Sequence, residues 1–206
     1  MSESLYSTER VKCFTDAVIA IVMTVLVLEL MLPHSIAANL TNQELLDLLW
    51  HHVDDFVAYL LSFWMISIYW RSHFDFFECV PHIHSKVISL NTMFLLTLTL
   101  IPFPSQIMSH YNSSLGLVLF NISIGLPAVI MALMFKVVHG TADTKEHMAQ
   151  HYQSHQHDFG IMVMMSAFTV LIAVLSYFSS AFMYLWFVTK LFNPLRIYLA
   201  RWLPKL

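Results

Sequence analysis

The sequence predicts an all-α, polytopic membrane protein, and three observations carry that prediction. Of 206 residues, 58% are hydrophobic and 11% charged, where a soluble domain has roughly 45–50% and about 25%. The apolar runs approach the roughly 20 residues that a helical span needs. They do not alternate as a barrel strand of about ten residues must, and with four Gly and seven Pro the chain is poor in turn formers. All ten Lys and Arg fall on one side of a six-span arrangement, the asymmetry expected of cytoplasmic loops.

Taken in order, residues 1–206 read as one transmembrane domain of six helices, at about 11–32, 54–74, 87–101, 114–138, 159–177 and 181–200. A polar lead offers Ser7 or Thr8 as the first N-cap. The first helix stops before Pro33, and in the connector that follows, Thr41 and Glu44 have capping-box spacing, predicting a short surface helix through Trp50. The third helix meets Ile101-Pro-Phe-Pro-Ser105, where two prolines are expected to break it. Pro127 predicts a kink in the fourth. A polar, His-rich stretch over 139–158 leads to the fifth, and Ser179-Ser180 turns the chain into the sixth.

Arg10 and Lys12 precede or open the first helix, Arg71 and Lys86 flank the second connection, Lys136 and Lys145 the fourth, and Lys190, Arg196, Arg201 and Lys205 lie at the end. A multi-pass protein of the cell membrane with both termini cytoplasmic is expected. The lipid bilayer is its first partner, and no nucleic-acid partner is expected. Cys13 and Cys79 fall near the cytoplasmic face and are expected to be free thiols. The first apolar run is too long for a cleaved leader and lacks a small-residue cleavage site.

The first helix is the working element. A charge inside the hydrocarbon is costly and tends to serve a function, yet this helix carries Arg10, Thr15, Asp16 and Thr24. Arg10 and Asp16, six apart, lie on different faces, so each calls for a partner on another helix. Ile21, Val25 and Leu28 recur at i, i+4 and i+7 on one stripe with Thr24 at its edge. By pattern alone that stripe faces lipid or bundle. Trp70 and His73 end the second helix and Asn91 opens the third, as interface residues or as a polar cluster with Arg10 and Asp16.

His147, His151 and His155 repeat every four residues and would share a helix face. They suit a transition metal or titrate near pH 6.5, although a solvated loop of biased composition is the simpler reading. No nucleotide loop, nucleophile elbow or TVGYG filter is present. No catalytic residue, enzyme activity or cofactor is expected.

Arg10-x-x-x-Phe14-Thr15-Asp16, followed by AVIAIVMTVLVLEL, resembles the R-x-x-x-F-S/T-D signature of the transmembrane protein 175 family, potassium-permeable channels without a P-loop. Trp70-x-x-His73 and LNTMFLLTLTLIPFPS, beginning at Leu90, are also similar to the family. The match covers the first half of the chain. The resemblance implies a homotetramer, each subunit one six-helix repeat, with the four first helices lining a central pore for potassium and other monovalent cations. It makes Ile21 the narrow hydrophobic constriction, Val25 and Leu28 the next rings, and Thr24 a hydroxyl ring bearing on ion preference. Arg10, Phe14, Thr15, Asp16, Trp70, His73 and Asn91 become a structural polar network. Thr15 replaces the commoner Ser, and Val25 is smaller than the aliphatic residue expected there. Glu29, Glu44, Asp47, Asp54 and Asp55, in or near the outer connector, would raise the local cation concentration. Two rival readings remain: a proton-coupled transporter using Asp16, His73 and Arg10, and, less favoured, a metal-dependent membrane enzyme using the histidines of 139–158.

Overall fold

The computed structural model describes residues 7–30, 40–78, 80, 83–111, 113–139, 164, 166–179, 182 and 185, and every element among them is a helix. These are α1 (Thr8–Val25), a 3-10 turn (Leu26–Leu30), α2 (Asn42–His51), α3 (Val53–Glu78), α4 (Ser85–Thr99), α5 (Pro102–Tyr111), α6 (Ser114–His139) and α7 (Ser166–Phe178). Three stretches are long and apolar enough to cross a membrane: Thr8–Leu28, Ser85–Met108 and Ser114–Val138. The 26-residue α3 is about 39 Å long at 1.5 Å per residue. Its charges gather at its two ends, with none between Asp55 and Arg71.

The first helix departs from expectation at both ends. Ser7 takes the N-cap position without a side-chain bond, and Thr8 reaches instead to the Val80 carbonyl at 3.5 Å. The α-helix gives way at Leu26 to the tighter 3-10 turn. Only α2 shows the full capping box: the Glu44 amide donates to Thr41 Oγ1 at 3.3 Å, and the Thr41 amide donates to Glu44 Oε2 at 2.8 Å.

The proline break is a correction. Leu100 and Ile101 make a turn, and the chain resumes at once as α5 through the stretch 104–113 expected to be connector. Pro102 and Pro104 occupy the first turn of α5, where amide hydrogens have no helical partner to lose. Backbone bonds bridge the joint, from the Phe103 amide to the Leu100 carbonyl at 3.3 Å and from Ser105 to Ile101 at 3.3 Å. Pro127 lies inside an uninterrupted α6.

The start of α1 lies beside the end of α3, tied by an ion pair from Lys12 Nζ to Glu78 Oε1 at 2.7 Å. The two helices therefore run in opposite directions, which sets Arg10, Lys12 and Arg71 toward one end of the bundle. α4 packs most extensively on α6, and α3 contacts α1, α5 and α6. The core holds Tyr69, Phe76, Phe94, Phe120 and Phe135, with Phe76 edge-on to Phe135 at 4.9 Å between ring centres. The expected helix over 159–177 is described at Met164 and as α7. The one over 181–200 lies outside the described residues apart from Phe182 and Leu185, as does the His-rich stretch beyond His139 with His147, His151 and His155.

Candidate pore helix and its polar anchor

One face of α1 packs and the other does not. Thr15, Ile19, Val22 and Leu26 are buried at spacings of four, three and four, the helical stripe that faces the bundle. On the opposite side Ile21, Val25 and Leu28 are 61%, 42% and 51% exposed within the subunit. Leu28 keeps that side although it lies on the 3-10 turn. The residues singled out as pore-lining thus share an unpacked apolar stripe. Thr24 lies on the exposed side too, its hydroxyl donating to the Ile21 carbonyl at 2.8 Å. Because the proton points back into the helix, the oxygen lone pairs remain for an outside partner.

The buried side of α1 is pinned by a polar relay across three helices. Asn91 Nδ2 on α4 donates to Thr15 Oγ1 at 2.9 Å. Asn91 Oδ1 accepts from His73 Nε2 on α3 at 2.8 Å, so that nitrogen carries the proton. All three side chains are buried. The His73 ring stacks on Phe94 at 5.4 Å and 10° and touches Phe77 at 4.5 Å. Hydrogen-bonded polar groups of this kind hold membrane helices together for about 0.6–2 kcal/mol each.

The structure divides the expected network. Thr15, His73 and Asn91 form the relay. Asp16 and Trp70 make a separate bond, Nε1 to Oδ1 at 2.9 Å, on the exposed side of the α1–α3 seam. Arg10 and Phe14 are exposed and join neither, which corrects the expectation that the start of α1 is packed in protein around Arg10. Its neighbour Lys12 makes the cross-helix ion pair instead and lies 5.9 Å over the Phe74 ring. Cys13 is an exposed free thiol, while Cys79 is outside the described residues.

Three cross-links carried no sequence signal of their own. The Tyr69 hydroxyl donates to the Ile124 carbonyl at 2.6 Å, Asn121 Nδ2 reaches Ser176 Oγ at 3.1 Å, and Lys12 meets Glu78. Asn121 was the readable one, an amide in the most apolar helix. Among the described residues no group of three or more His, Cys, Asp or Glu is placed to hold a metal.

Residues 10–102 match the family model described as endosomal/lysosomal potassium channel TMEM175. A potassium channel of Chamaesiphon minutus is 32% identical over 105 residues, half of this chain and half of that one. The matched segment thus spans about half the length of that bacterial relative. The endosomal/lysosomal proton channel TMEM175 of Rattus norvegicus is 26% identical over 197 residues, 93% of this chain and 39% of the rat protein. The crystal structure of a lysosomal potassium-selective channel TMEM175 homolog from Chamaesiphon minutus superposes with a TM-score of 0.69, covering 94% of this chain and 96% of that one at 24% identity. That likeness is one of fold.

Proposed function

The chain belongs to the TMEM175 family over residues 10–102, and from that premise we propose that it is a potassium-permeable cation channel, not an enzyme. In this reading residues 1–206 form a single membrane domain, four subunits assemble around an axis, and α1 of each lines the pore. The observation that carries the reading is the two-sidedness of α1. Its inner face is fixed to α3 and α4 through Thr15, Asn91 and His73, and its outer stripe of Ile21, Val25 and Leu28 is left without a partner in the subunit.

Four copies of that stripe around an axis make apolar rings, and Ile21 forms the constriction. A narrow apolar collar stops ions by dewetting and conducts when it widens. Thr24, its hydroxyl proton tied to the helix, offers a ring of oxygens one turn beyond Ile21. No carbonyl cage replaces the hydration shell, so discrimination among monovalent cations is modest. With both termini cytoplasmic, Glu44, Asp47, Asp54 and Asp55 lie at the outer mouth and concentrate cations there. The proton-coupled alternative needs Asp16, His73 and Arg10 in one relay. Asp16 bonds Trp70, His73 bonds Asn91 and Arg10 is apart from both, so nothing in the geometry favours it.

The test is potassium flux from liposomes holding the purified protein, with sodium, protons and a large organic cation compared. Fast flux that excludes the large cation is expected, and Ile21→Asn, which wets the collar, is expected to raise it severalfold. Unchanged flux in that variant would sink the assignment of the constriction.

A further inference from the structure

We propose that α2 is an interfacial helix whose leucine–tryptophan face lies in the headgroup–acyl boundary of the bilayer, with uncharged or zwitterionic lipid as its partner. The helix separates its residues cleanly. At 100° per residue, Leu45, Leu46, Leu49 and Trp50 fall on one side and Gln43, Glu44, Asp47 and His51 on the other. No residue of α2 is buried in the subunit, and Trp50 is 73% exposed. The reciprocal Thr41–Glu44 bonds hold the first turn without help from tertiary packing.

The attachment of α2 fixes its depth. His52 both ends α2, its amide reaching the Leu48 and Leu49 carbonyls, and starts α3, its carbonyl accepting from Asp55 and Phe56. Its Nδ1 meets Asp55 Oδ2 at 2.6 Å. The charge-free stretch of α3 begins directly after Asp55. A helix joined so closely to the start of a span, with α1 ending at Leu30 on the far side of the connector, lies at the membrane boundary. There an apolar face sinks into the acyl edge while a tryptophan takes the headgroup level.

Charge chooses the lipid. The polar face is acidic, and the Thr41 bonds hold the Glu44 carboxyl below its ordinary range, so it stays ionised at neutral pH. Interfacial helices that recruit anionic lipid carry Lys and Arg on that face; this one would be repelled. Insertion therefore rests on apolar burial alone.

The experiment uses the full chain in phosphatidylcholine liposomes with Cys13 and Cys79 replaced by Ser. Single cysteines at Gln43→Cys, Leu45→Cys, Leu46→Cys, Asp47→Cys and Leu49→Cys each carry a spin label, and size-exclusion profiles confirm assembly. Labels at 45, 46 and 49 are expected to collide with membrane-dissolved oxygen and to be shielded from a water-soluble nickel complex, with the reverse at 43 and 47. Nickel access at all five would place α2 in water. Shielding of 45, 46 and 49 from both reagents would make a neighbouring protein surface the cover. Oxygen access that appears only after anionic lipid is added would overturn the choice of lipid. With five positions, the loss of any one variant leaves the pattern readable.

Discussion

Asn91 spends both ends of its amide on neighbours from other helices, and neither neighbour meets water. Asn91→Leu fills a similar volume but leaves the Thr15 hydroxyl and the His73 Nε2 proton buried without partners. An orphaned buried group costs about 1–3 kcal/mol, so this substitution should lower the thermal midpoint of the detergent-solubilised protein by several degrees. Adding Thr15→Val removes one of the orphans, and the double variant should therefore cost less than the sum of the single ones. Strict additivity in that cycle would mean that the two side chains act independently. The sequence singles out Thr15, His73 and Asn91, because polar side chains in apolar helices stand out. It does not reveal who bonds whom. Asp16 was grouped with His73 and Arg10, yet its carboxylate goes to Trp70, 54 positions away. That choice is made by how α1 and α3 are rotated against each other, which no local pattern encodes.

At the scale of elements, what was legible was local. The α2 cap is a four-residue rule, and the Thr41–Glu44 spacing is enough to state it. The prolines after Ile101 show the limit of such rules: a proline ends a helix by default, but the same residue fits the first turn of a new one, and only the three-dimensional course of the chain distinguishes the two. Helix contacts are harder still. The seam between α6 and α7 closes at Gly125, where an added Cβ would overlap the Cβ, Cγ2 and Oγ1 of Thr169. Thr169 is buried and β-branched, with little rotameric freedom to yield. Small residues that let helices approach are a common device in membranes. Gly125→Ala should force the two helices apart and destabilise the fold by about 1–3 kcal/mol, the cost of overpacking. Thr169→Ala in that background should recover most of it, as read by thermal unfolding. A Gly125→Ala protein as stable as the parent would show that α7 does not sit this close to α6.

At the scale of the whole molecule, the stripe of Ile21, Val25 and Leu28 must meet something, and a fourfold axis is the proposed answer. A closed ring buries the same patch on every subunit and leaves no surface for open-ended association. The purified protein should then have a protein mass about four times the 23.8 kDa subunit, measured by light scattering with the detergent contribution removed. Ile21→Cys, made with Cys13 and Cys79 replaced by Ser, puts four thiols around a narrow collar. Mild oxidation should yield disulfide-linked dimers and reduce liposome flux, both reversed by a reductant. Val174→Cys supplies the contrast, since that residue is also exposed within the subunit but lies on α7, and it should give neither dimers nor block. Efficient cross-linking at 174 with none at 21 would exchange the roles of the two helices: α7 would border the subunit contact and α1 would face lipid. A disulfide needs Cα atoms within about 7 Å, so cross-linking at 21 also bounds the collar. Dimers that form readily and block flux require that the four α1 helices approach one another closely at Ile21, the property that a dewetting constriction demands.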